Sequence, residues 1–114
     1  MKLERIDMGT VTVLRLEGNL DEEGVDQLRS ALYDCMRQGR FQVVMNLRDA
    51  GFLSYMGLGV LVERVRRFRA CGGDLKLVKL SLYAERLFRM TGILPVFEIY
   101  ETESQAVGVF QRAA

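Results

Sequence analysis

At 114 residues, with 49% apolar side chains and a single proline, the chain is long enough for one hydrophobic core, so one domain over residues 1–114 is expected. The 16 basic and 15 acidic residues leave a net charge of +1, which excludes wholesale capture of nucleic acid by charge alone. There is no histidine, paired-carboxylate motif or metal-ligand spacing, so no catalytic, cofactor or metal site is expected.

The start, Met1-Lys2-Leu3-Glu4-Arg5, is charged too early for a signal peptide, and no apolar run reaches membrane-spanning length. A cytoplasmic protein with no direct membrane insertion is the expectation. Leu3 to Asp7 and Val11 to Glu17 alternate like two short strands, and Met8-Gly9-Thr10 connects them as a hairpin. Gly18-Asn19-Leu20-Asp21 breaks that pattern, with Asp21 serving either as a loop acceptor or as a helix N-cap. Val25, Leu28, Leu32, Cys35 and Met36 then recur at helical spacing until Gly39.

Phe41 to Leu47 is an almost continuous apolar segment, as expected of a central strand covered on both faces. The stretch Asp49-Ala50-Gly51-Phe52-Leu53-Ser54-Tyr55-Met56-Gly57-Leu58-Gly59 reads as the loop joining this strand to the next helix, the kind of place where functional residues gather. From Leu58 onward, Leu61, Val62, Val65 and Phe68 form an apolar stripe, opposed by Glu63, Arg64, Arg66, Arg67 and Arg69, until Cys71-Gly72-Gly73. The arginines read as a solvated face or a contact for an acidic partner rather than a nucleic-acid site. Cys35 and Cys71 read as buried thiols on the apolar sides of two helices.

Leu75 to Leu80 is expected to be another strand, and Ser81 to cap a short helix carrying Leu82, Ala84, Leu87, Phe88 and Met90 before Thr91-Gly92. Val96 to Tyr100 forms a last expected strand, and Thr102 with Gln105 has capping-box spacing ahead of Ala106, Val107 and Phe110. Strands alternating with helices imply an α/β domain with a largely parallel sheet, an N-terminal hairpin at one edge and about four helices.

Several of these segments together carry a family likeness: Gly18-Asn19-Leu20-Asp21, Val43-Val44-Met45-Asn46-Leu47-Arg48-Asp49, Gly57-Leu58-Gly59-Val60-Leu61, Gly72-Gly73 and Leu87-Phe88-Arg89-Met90-Thr91-Gly92. They resemble the STAS domain, especially bacterial anti-anti-sigma factors, over roughly residues 10 to 108. The resemblance implies a non-enzymatic protein that binds an anti-sigma factor, itself a serine kinase-like protein, and so releases a sigma factor. In the family the loop before the second helix usually reads aspartate, a small residue, the phosphorylated serine or threonine, then glycine and leucine. Here Ser54, Tyr55 and Met56 stand at the first three places.

A thioether has no hydroxyl to phosphorylate, so Met56 cannot act as the switch residue. Ser54 is the nearest hydroxyl and the remaining candidate for phosphorylation, but it reads mainly as a group that satisfies loop backbone. Gly57 and Gly59 lack the lysine and repeat of a phosphate-binding loop, and close packing of the helix on the sheet is the simpler account. Partner contact is therefore expected at Asp21, Asp49, Ser54, Tyr55, Met56, Gly57, Leu58 and Arg64, with Asp21 and Asp49 on neighbouring loops. Two copies could also pair through the edge strand or the Tyr55–Met56 surface. The alternative is a STAS scaffolding subunit of a signalling assembly or an ABC-type lipid transporter complex.

Overall fold

The alternating N-terminal segment folds into a hairpin, β1 (Lys2–Met8) pairing antiparallel with β2 (Val11–Leu20). The computed structural model describes residues 1–113. β3 (Gln42–Leu53), β4 (Asp74–Val78) and β5 (Ile99–Tyr100) add in chain order, each parallel to the strand before it, giving a sheet ordered β1-β2-β3-β4-β5. The helices are α1 (Glu22–Arg37), α2 (Tyr55–Ala70), α3 (Leu82–Met90) and α4 (Glu103–Ala113), with a 3-10 turn at Leu94–Val96. The α/β class, the largely parallel sheet, the edge hairpin and the four helices all match the sequence reading.

Alternation along the strands explains why so many apolar residues fit into so short a chain, because the sheet is covered on both faces. Leu14, Leu16, Val43, Met45, Leu75 and Leu77 pack with Val25, Leu28 and Leu32 of α1, Leu61, Val65 and Phe68 of α2, and Phe88 of α3. Val11, Val13, Val44 and Val78 face the other way and meet Ala106, Val107 and Phe110 of α4. Each fully buried large side chain contributes about 1.5–3 kcal/mol, so the first face supplies most of the folding drive.

The α4 face also holds buried charge. Lys76 Nζ donates to Asp74 Oδ2 at 3.0 Å and to Glu98 Oε1 at 2.9 Å, and lies 4.6 Å from the centre of the Phe110 ring. Burial alone would pull the Lys76 pKa down, but Glu98 and Asp74 outweigh it and hold the ammonium above its ordinary value. The Tyr100 hydroxyl also donates to Glu98, at 2.7 Å. Nearby, Arg15 makes a fork of two 2.8 Å bonds to Glu103, which also accepts from Asn46; the guanidinium first and the amide second hold that carboxyl below its ordinary value.

Local capping follows the sequence closely. Asp21 is an N-cap, its Oδ1 accepting from the Gly24 N–H at 2.9 Å, and Ser81 caps α3 through the Ala84 N–H at 3.1 Å. Thr102 and Gln105 form the reciprocal capping box, each side chain accepting from the other's backbone N–H. Other expectations change. Cys35 is buried, which raises its thiol pKa, but Cys71 is exposed because it lies one residue past the end of α2. The β4 segment stops at Val78, ahead of Lys79 with its left-handed φ of 62°. The expected Val96–Tyr100 strand is shortened to Ile99–Tyr100 because Pro95 starts a 3-10 turn that absorbs Val96. On α3 only Ala84 and Phe88 are buried, while Leu82 and Met90 face outward.

Candidate functional site

Two helices begin side by side at one end of the sheet. Leu20, the last residue of β2, pairs with Leu53, the last residue of β3, and the Ser54 N–H donates to the Leu20 carbonyl at 3.0 Å. Asp21 and Ser54, the next residues along each strand, are thus the neighbouring N-caps of α1 and α2. Ser54 Oγ accepts from the Gly57 N–H at 3.1 Å, the structural role expected of that hydroxyl. The site lies at the carboxyl ends of parallel strands, where α/β sheets usually place their binding residues.

The expected long loop is absent. β3 continues through Asp49-Ala50-Gly51-Phe52 to Leu53, held by pairing to β2 and by Asn19 Oδ1, which accepts from the Phe52 N–H at 2.9 Å. Only Ser54 separates strand from helix. The short connection fixes the first turn of α2 firmly and projects three large apolar side chains into solvent: Phe52 is 52% exposed, Tyr55 72% and Met56 57%. Phe52 had no place among the expected contact residues. Its signal was alternation, since Leu53 turns into the core and the residue before it must turn out.

The two glycines of α2 differ. A Cβ on Gly57 would overlap the Leu20 side chain, so close packing of helix on sheet requires that glycine. A Cβ on Gly59 would meet nothing within 4 Å, which overturns the packing account for the second glycine. Gly59 instead lines an open groove of about 630 Å³ between α2 and the segment after α3, with Leu58, Val62 and Ile93 as its apolar walls and Tyr55, Arg66, Arg67 and Thr91 around it. Of these, Arg66 and Arg67 belong to the arginines read as a solvated face or a contact for an acidic partner, and Val62 to the apolar stripe read only as core. Thr91 and Ile93 were missed, because the groove joins residues some thirty positions apart.

Two expected contact residues lie elsewhere. Asp49 is inside β3, paired with Glu17, not on a loop. Four residues of strand, roughly 13 Å, separate it from Leu53, so it does not join Asp21 at the helix starts. Arg64 is only 9% exposed and is wedged against α1, its Nη1 donating to Met36 Sδ at 3.3 Å. Its Nε lies 3.2 Å from Glu63 without a well-aligned hydrogen bond. The long stem sits at the edge of the apolar stripe, and a helical wheel alone cannot tell that edge from the solvated face.

What gathers at the helix starts is contact area. Among the described residues no group of three or more histidine, cysteine, aspartate or glutamate side chains is arranged to hold a metal ion. Among the same residues, no helix is long and apolar enough to cross a membrane. Rigid backbone, an exposed aromatic, a flexible thioether and an adjoining apolar groove fit the recognition of a macromolecular surface.

Residues 3–106 match the family described as the STAS domain. The anti-sigma F factor antagonist of Lysinibacillus sphaericus is 31% identical over 107 residues, covering 93% of this chain and 90% of that protein. The solved anti-sigma factor antagonist SpoIIAA in its unphosphorylated form superposes with a TM-score of 0.85 at 24% identity, covering 96% of both chains. SpoIIAA in its phosphorylated form, described as a Bacillus cell fate determinant, gives a TM-score of 0.75 at 26% identity, covering 96% of this chain and 97% of the other.

Proposed function

The chain belongs to the STAS domain family, and from that premise we propose that it is a non-enzymatic antagonist of an anti-sigma factor, docking through the start of α2. The observation that carries this reading is the exposed set Phe52, Tyr55 and Met56 on a backbone pinned by the Ser54 cap. Asp21 adds a carboxylate beside them, and Gly57 and Leu58 hold the turn against the sheet. Asp49 and Arg64 drop out of the contact set on their positions.

Met56 is read as occupying the place of the phosphorylated hydroxyl. A phosphate there would add about −1.5 to −2 charge at the helix start, enough to reorganise a docking surface. With a methionine the surface stays apolar and uncharged, so the protein is permanently competent to dock. Ser54 is read as a cap rather than a replacement acceptor: its oxygen accepts from the Gly57 N–H, and a phosphate there would disturb that bond.

The test is phosphate transfer from ATP by the kinase-like anti-sigma factors of the source organism. The wild-type protein should bind and gain no phosphate at residues 54–56, whereas Met56→Ser should gain it. Efficient labelling of wild-type Ser54 would overturn the permanent-docking reading. Tight association with transporter subunits alone, and with no anti-sigma factor, would favour the scaffolding alternative.

A further inference from the structure

The groove between α2 and the segment after α3 has a feature that the chain's own packing does not explain. Gly59 is the fifth residue of α2, an interior position where glycine is less favourable than alanine, and no neighbour would obstruct a Cβ. Its missing side chain opens a notch between Leu58 and Val62, with Ile93 opposite. Met90, 81% exposed, immediately precedes the groove residue Thr91.

The charges beside the notch are unequal. Arg67 is paired with Glu63 at 2.6 Å, and Glu63 also lies 3.2 Å from Arg64, so the one carboxylate lining the groove is already engaged by two arginines. Arg66 has no acidic partner within 4 Å among the described residues. The rim therefore presents uncompensated positive charge next to an apolar trough, which complements an amphipathic element with apolar and acidic faces.

We propose that the notch at Gly59 receives a large apolar side chain from an acidic amphipathic helix of the partner, and that Arg66 pairs with a carboxylate of that helix. This rests on the reading of α2 as the docking helix and extends it to a specificity pocket. A helix laid along α2 fits this trough because it would set one apolar face on Leu58, Val62 and Ile93 while turning acidic residues towards Arg66 at the rim. The glycine then acts through the partner's closeness, and the arginine through its charge.

The probe is a display library of helical peptides selected on the intact protein, followed by backbone chemical-shift mapping. The expected result is enrichment of peptides with apolar residues three or four apart and a surplus of Asp and Glu, with shifts centred on Leu58, Gly59, Val62 and Ile93. Gly59→Leu should weaken the selected peptides about tenfold or more while the protein remains folded, and Gly59→Ala should weaken them less. Arg66→Glu should weaken acidic peptides and shift selection towards lysine-bearing ones.

Failure to select any peptide, selection of basic or uncharged peptides, shifts away from the groove, or indifference to Gly59→Leu would each overturn the proposal. A concentration-dependent dimer abolished by Gly59→Leu would overturn it too, by assigning the groove to a second copy. None of these results depends on a sigma pathway, so the groove can fail while the anti-sigma reading stands. Conversely, peptides that bind as expected would leave the pocket standing even if no anti-sigma factor bound.

Discussion

The α4 face of the sheet and the start of α2 are built on opposite terms. Beneath α4, Lys76 is surrounded by Asp74, Glu98 and Phe110, and Arg15 is locked to Glu103, so polar groups there are matched inside the molecule. At the start of α2 Ser54 caps the backbone through the Gly57 N–H, yet Phe52, Tyr55 and Met56 are left exposed. The difference separates residues that hold the fold from residues available to something outside it. Substitutions beneath α4 should change stability and leave docking intact, and substitutions at the exposed set should do the reverse.

The largest effect should come from Lys76→Ala, which takes one of its two cations from the buried Asp74 carboxylate, leaving Arg69 at 2.8 Å, and removes the ammonium paired with the half-exposed Glu98. A loss of about 2–4 kcal/mol in urea unfolding is expected, below that of a fully stranded charge because Arg69 stays on Asp74, with affinity per folded molecule unchanged. A loss below about 1 kcal/mol would mean that the network is as loose as a surface pair, and would blur the contrast.

Next come the glycines, which sharpen the contrast within one helix. Gly57→Ala should cost about 1–3 kcal/mol, because its Cβ collides with Leu20 and must push the helix start away from the sheet. Gly59→Ala should instead stabilise the protein by about 0.5–1 kcal/mol, since the new methyl meets nothing and the helix propensity improves. Thermal melts of the pair decide it: equal shifts of the same sign would contradict the assignment of one glycine to packing and the other to the groove.

The smallest effect concerns pH. Glu103 has its folded pKa held below the ordinary 4.5 by Arg15, so its contribution is complete above that value and fades as the pH falls through the lowered folded pKa. Glu103→Gln should lower stability slightly at neutral pH and flatten the acid limb of the stability curve. An unchanged limb would show that the Arg15 fork makes no net contribution.

Most of the fold was legible because its signals are local. Ser81 and the Thr102–Gln105 pair each name a helix start from within four residues, and the apolar run around Val43 to Leu47 names a two-sided strand. Asp21, open between loop acceptor and N-cap in the sequence, is the N-cap. The site was legible only in part. Ser54, Tyr55 and Met56 stand at the helix start as expected, but Asp49-Ala50-Gly51-Phe52 looked like a loop because its strand pairing depends on Gly18 and Asn19, thirty residues earlier. Arg64 was misplaced for a related reason. Whether a residue at the edge of a helical stripe is buried depends on the neighbouring helix, here Met36 of α1, and periodicity within α2 contains no record of it.

The most direct test of the docking claim is calorimetric titration of a cognate anti-sigma factor with the wild-type protein and with the Tyr55→Ala, Met56→Asp double variant, each checked for folding by urea titration. The double variant should lose at least about 2 kcal/mol of binding free energy while its own stability stays within about 0.5 kcal/mol of wild type. Unchanged affinity in a folded double variant would contradict the account and move the docking surface away from the start of α2.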